Sequence, residues 1–280
     1  MLFAIIGTLA SSVMSVFDKI ILDYKRLTYK QLLPVSLTTT FVICLFAFPF
    51  LGQISPKFFA LKYEIIFALE ICTAFFLNIF FFYSMKREEL CDIEPFVLMD
   101  GPLTVILAAL LFPSERNLIP LVLTLIAAFA LVLSRVKKHH FRLVFKKTTL
   151  ALMAYVILSS FESQFAKVLL EVLSPVALYA IRTGFLATLF WVFLKPRLAR
   201  LPMTQKRNLA IDGAISFIVF ISRFYAIMYI GIVQSTLIFL LAPVLTLGFS
   251  KFYLKENLTF RKISADIIII ACVAVTLLTR

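Results

Sequence analysis

The chain breaks into ten apolar stretches, at about 2–22, 30–51, 63–84, 94–112, 117–136, 148–170, 174–194, 208–230, 233–253 and 263–279, joined by short polar links. Each is close to the roughly 17 to 25 residues that a helix needs to cross the hydrocarbon layer. Lipid offers no partner for a free backbone N–H or C=O, so apolar runs of this length must close their hydrogen bonds internally as helices. With 62% hydrophobic residues and a mean hydropathy of +1.01 across 280 residues, too little polar surface remains to coat a soluble globule. The fold class expected is an all-α integral membrane protein. The first stretch has no basic leader and no small-residue cleavage site before Asp18 and Lys19, so it reads as a retained helix rather than a cleaved signal.

A net charge of +13 invites a nucleic-acid reading, but the basic residues are in the wrong places for one. They crowd alternate links: Lys25, Arg26 and Lys30; Lys86 and Arg87; the run from Arg135 to Lys147; Lys195 to Arg207; and Lys251 to Lys262. The other side of the membrane receives only Lys57, Lys62, Arg116 and Arg280. Such asymmetry is the positive-inside pattern, and it places both termini outside the cell, with the lipid bilayer as the partner of the charge. A prokaryotic plasma membrane is the expected location. The hydrophilic run Arg135–Lys147 divides the spans five and five, giving a first repeat at 1–136, a connecting loop at 137–147 and a second repeat at 148–280. An odd number of spans per half inverts the second half, so the expected architecture is ten transmembrane helices in two inverted five-helix repeats. Cys44, Cys72, Cys91 and Cys272 are scattered singly and read as small apolar fillers. The adjacent His139 and His140 read as a solvated loop pair, so neither a metal nor a cofactor is expected.

The halves echo each other in detail. Asp100, Gly101 and Pro102 interrupt an apolar run, and Pro102 precedes Glu115 by the same 13 residues that separate Pro243 from Glu256 (115 − 102 and 256 − 243). Phe82-Tyr83-Ser84 is answered by Phe224-Tyr225-Ala226, Glu70 by Asp212 and Lys19 by Lys167. A proline inside a helix releases the carbonyl four residues earlier, here Leu98 and Phe239. Interrupted helices at matching positions in two halves point to the binding site of a transporter, because freed backbone groups are tolerated at membrane depth only in protein or beside water. The bland alternative is that both prolines merely kink their helices.

Ionisable groups at a span centre cost about 2.5–3.5 kcal/mol to insert, so each needs a partner or a wet cavity. Glu70 and Asn78 share one stripe of span three, and Asp100 aligns with Phe96 and Thr104 in span four. Glu162 stands in span six, Arg182 in span seven, and Asp212, Ser216 and Arg223 share a face of span eight. Some of these groups can simply pair to hold the bundle, a reading with equal weight for Arg182 and Asp212. Glu115 and Glu256 are expected to sit at the positive N-terminal ends of the helices that follow them. Gly7, Ser11 and Ser15, spaced by four, form a small-residue stripe for close helix approach.

These features together resemble the drug/metabolite transporter superfamily, specifically its EamA-type ten-helix members, over essentially the whole chain. The matching pieces are Phe82-Tyr83-Ser84-Met85 with Phe224-Tyr225-Ala226, Pro102 to Glu115, Pro243 to Glu256, and Ser174-Pro175 followed by Arg182. The first half departs from the pattern, having Ser36 or Thr38 in the region of an arginine equivalent to Arg182. The resemblance implies secondary active transport of a small molecule, with a proton or ion as the coupling partner. The balance of embedded acids and bases points to a zwitterion such as an amino acid. Its expected contacts are Asp100 and Arg223 as opposite poles, with Glu70, Asn78, Glu162, Arg182, Tyr83 and Tyr225 around them and helix breaks at Pro102 and Pro243. The alternative is an exporter of organic cations or drugs with an aromatic-lined site. An intramembrane enzyme is disfavoured, since no span carries histidine and H-E-x-x-H is absent.

Overall fold

A computed structural model of the chain describes residues 1–22, 29–85, 87, 96–135, 147–196, 202–245 and 260–278. Glu256, Cys91, His139 and His140, with the side chains of Lys19 and Ser15, lie outside the described residues.

Among the described residues the chain forms nine α helices: α1 Leu2–Leu22, α2 Tyr29–Leu51, α3 Leu61–Met85, α4 Asp100–Leu111, α5 Leu118–Arg135, α6 Lys147–Leu169, α7 Pro175–Leu194, α8 Met203–Phe239 and α9 Phe260–Leu278. Five helical stretches, 30–51, 61–84, 147–169, 175–194 and 203–245, are long and apolar enough to cross a membrane. One of the apolar spans read from the sequence is built differently from the simple expectation. The stretch 94–112 has a turn at Leu98–Met99, so its regular helix starts at Asp100. The stretch 208–230 and the described start of 233–253 meet at Gly231, whose φ of 82° and ψ of 173° lie where other residues scarcely go, so α8 is two helical segments joined at a kink.

The distribution of side chains is that of a protein dissolved in lipid. Phe50 is 85% exposed while Glu70 is fully buried, Asp212 is 2% exposed and Arg182 is 4% exposed. Large apolar groups face out while these three charges face in. Hydroxyls are hidden by a local device, donating to the carbonyl one turn back: Thr8 to Ala4, Ser12 to Thr8, Thr124 to Pro120, Thr183 to Tyr179 and Thr276 to Cys272. The small-residue face of α1 is Ala4, Gly7, Thr8 and Ser12, with Ser11 only half-buried, because the helical period of 3.6 carries a strict four-residue stripe off the buried side. Cys44 and Cys272 are buried, whereas Cys72 is exposed and fills no gap.

The Cα trace divides into two compact units, one of Met1–Ile71 with Ala166–Tyr229, the other of Cys72–Phe165 with Ile230–Arg280. Each draws on both halves of the sequence. In the first unit α2 packs along α7. The link after α2 is stitched to the link before α7: Ser55 N–H donates to Val172 O and Ser174 N–H to Gln53 O, both at 2.9 Å. Ser174 Oγ donates to Leu51 O and accepts from Gln53 N–H and from Ala177 N–H, the last of these capping α7. In the second unit α5 packs on α9 and α4, and Ala127, Ala128 and Leu131 meet Leu237, Leu240, Ile269, Cys272 and Val273 in a buried apolar cluster.

Candidate functional site

Polar side chains inside the first unit gather in two places. Arg182 Nε of α7 lies 3.0 Å from Glu70 Oε1 of α3. The guanidinium carbon stands 5.5 Å from the ring centre of Phe220 and 6.0 Å from that of Phe224, both on α8. Tyr179, one turn before Arg182, stacks on Phe220 with centroids 5.3 Å apart and meets Phe224 edge-on at 5.7 Å. A buried carboxylate and guanidinium are thus in contact, with aromatic rings beside the cation.

The second place holds Asp212 of α8. Ser36 Oγ of α2 donates to Asp212 Oδ2 at 2.6 Å, and Thr40 Oγ1 contacts the carbonyls of Ser36 and Gly213, both at 2.9 Å. Close approach is enforced here, since a Cβ on Gly213 would stand 2.7 Å from the Ser36 carbonyl oxygen. Glu70 thus meets α7 and Asp212 meets α2. One finds an arginine and the other a serine.

Inside the second unit Asp100, at the first residue of α4, is half-buried and accepts three hydroxyls. Thr104 Oγ1 donates to Oδ1 at 3.0 Å, Ser160 Oγ to Oδ1 at 3.1 Å and Ser159 Oγ to Oδ2 at 2.9 Å. Gln164, 2% exposed, donates its amide to the carbonyls of Thr104 and Ser160, both at 3.1 Å. Pro102 is buried in the first turn of α4, downstream of the turn at Leu98–Met99, and Pro243 is half-buried in the helical residues 241–245 that follow a turn at Leu240.

Glu115 corrects an expectation. It ends a 3-10 turn, Pro113–Glu115, and is buried, while the side chain that accepts from the first turn of α5 is Asn117, whose Oδ1 takes Ile119 N–H. Ile232 N–H donates to Oε1 at 2.9 Å and Val233 N–H to Oε2 at 3.0 Å, so the carboxylate caps the part of α8 that restarts after Gly231. The break at Gly231 bares those amides, and a distant acid answers them.

The remaining sequence-derived site residues are dispersed. Asn78 donates to its own helix at Ala74 O, 2.7 Å away. Tyr83 lies under the Arg87 guanidinium at 3.7 Å. Tyr225 stacks on Phe3 at 4.6 Å and on Tyr229 at 6.1 Å. Glu162 and Arg223 are half-buried on α6 and α8. Asp100 belongs to one compact unit and Arg223 to the other. Ser159, Ser160 and Gln164 were missed in the sequence, although the run Ser159-Ser160-Phe161-Glu162-Ser163-Gln164 is unusually polar for a membrane span and was signal enough.

Outward-facing apolar helices around inward-facing ionisable groups define a polytopic α-helical membrane protein with charged sites at depth. Residues 146–278 match the model of the EamA-like transporter family. A solved structure titled only "Crystal structure of protein" is similar over 99% of this chain and 97% of its own, with a TM-score of 0.77 at 14% identity, a likeness of fold. No curated protein matches the sequence.

Proposed function

We propose that the protein is a secondary active transporter of a small polar zwitterion, such as an amino acid, working by alternating access between its two inverted repeats. The observation that carries this reading is the buried Glu70–Arg182 pair beside Phe220 and Phe224. Buried ion pairs add little net stability over apolar packing of the same volume, so stability alone is a weak reason to keep one in a membrane. A ligand with an ammonium and a carboxylate exchanges for such a pair without leaving either charge bare. The planar fork of Arg182 takes the carboxylate, Glu70 takes the ammonium, and the rings take the apolar part.

Counterflow of labelled amino acids into proteoliposomes tests this. Glu70→Gln and Arg182→Lys each abolish saturable counterflow while the protein remains folded in detergent. A Glu70→Leu, Arg182→Met double variant that both folds and transports at the wild-type rate refutes the reading, leaving the pair as a packing element. The stacked and partly exposed Phe3, Tyr225 and Tyr229 favour one second reading, a carrier of organic cations. Quaternary amines that outcompete amino acids in the same assay decide for it.

A further inference from the structure

The hydroxyl-rich pocket at the start of α4 is a different kind of site from the ion pair. We propose that Asp100, Thr104, Ser159, Ser160 and Gln164 bind a monovalent metal cation of the sodium type. Four oxygen-bearing side chains from α4 and α6 meet here, one of them a carboxylate, and the Gln164 amide is anchored on the backbone of two of them. Oxygen donors without nitrogen or sulfur suit hard cations. A single carboxylate among neutral oxygens matches one positive charge.

Gln164 supplies the independent observation. Its Nε2 faces two backbone carbonyls, those of Thr104 and Ser160, so a flipped amide would set oxygen against oxygen and the orientation is determined. The other end of the amide, Oε1, is buried without a hydrogen-bond donor. An acceptor stranded this way costs about 1–3 kcal/mol unless something positive meets it. The residues anchoring Nε2 also bring two of the three hydroxyls to Asp100. Ser160 has a second acceptor for its proton in Val156 O at 2.8 Å, which frees its oxygen for a cation. Pro102 has no N–H to donate to Leu98 O, so a carbonyl two residues before Asp100 is also left out of the helical ladder.

The role of the cation as coupling ion rests on the transport reading above, whereas its binding does not. The test is equilibrium binding of radiolabelled sodium to the full-length protein in detergent, without substrate, against potassium, lithium, choline and methylammonium as competitors. The expected result is one saturable sodium site per chain, lost in Asp100→Asn and weakened about tenfold or more in Gln164→Leu. If Asp100→Asn fails to fold, the Ser159→Ala, Ser160→Ala double variant takes its place with the same expected loss. No saturable binding of sodium, potassium or lithium to the folded wild type overturns the proposal, as does binding unchanged in these variants. Displacement by methylammonium at or below the sodium concentration assigns the pocket to an organic ammonium and also overturns it. Amino-acid counterflow that persists when sodium binding fails removes only the cation site, and sodium binding that persists when counterflow fails removes only the transport reading.

Discussion

Replacing Gly231 by alanine should damage the protein through Glu115, and the size of that coupling follows from the geometry. At φ 82° and ψ 173° an alanine costs about 1–3 kcal/mol of backbone strain. Its Cβ would also overlap Oε1 of Glu115, the acceptor for Ile232 N–H. Ile232 and Val233 are both buried, so water does not replace a displaced carboxylate. Each stranded amide costs about 1–3 kcal/mol, which puts Glu115→Ala at roughly 3–4 kcal/mol. Glu115→Gln keeps one acceptor oxygen and should cost about half as much. Gly231→Ala in the native background then bears the strain plus most of the Glu115 contribution, while in a Glu115→Ala background it bears the strain alone. The double variant should therefore be more stable than the sum of the single losses implies, by about 2–3 kcal/mol. Equilibrium unfolding in mixed micelles titrated with sodium dodecyl sulfate, followed by helical circular dichroism, measures all four corners of the cycle. Losses that add to within about 0.5 kcal/mol refute the argument.

Pro102→Ala and Pro243→Ala should insert and fold but transport poorly, because a completed helical ladder withdraws the Leu98 and Phe239 carbonyls; wild-type uptake by both reduces the prolines to kinks. A reporter active only in the cytoplasm should be silent when fused after Arg280 and active when inserted near His140, and the opposite pattern sinks the orientation drawn from loop charge. Ser174→Ala removes an N-cap together with two contacts to the Leu51–Gln53 link, so it should lower stability by about 1–2 kcal/mol, read as a fall in Tm in detergent.

The spans and the embedded charges were legible because lipid makes the rule one-dimensional: an apolar run of the right length becomes a helix wherever it lies, and a charge inside it stands out. Partners were not legible in the same way. Nothing near Glu70 in sequence names Arg182, and nothing near Glu115 names Ile232, because both contacts are made by helix packing between distant segments. Locality also left the reading of Glu115 incomplete, because the amides its carboxylate caps lie on a distant helix. Gly231 was legible as a link between two apolar runs, and its φ makes that link a single-residue kink between two helical segments. The pocket around Asp100 was half legible: the acid drew notice, and the hydroxyls one helix away did not.

The two compact units have a consequence for biosynthesis. Met1–Ile71 is completed by Ala166–Tyr229, and Cys72–Phe165 by Ile230–Arg280, so a ribosome that has released the first five spans has finished neither. Glu70 reaches the bilayer before Arg182 has been translated, and Glu115 before the amides of Ile232 and Val233 exist. Nascent first-half chains must wait in the membrane with their acids unanswered, shielded by water, by lipid headgroups or by the insertion machinery. Fragment 1–136 made alone should be cleared by membrane proteases, and synthesis of 148–280 in the same cell should rescue it, since the two fragments together supply both units.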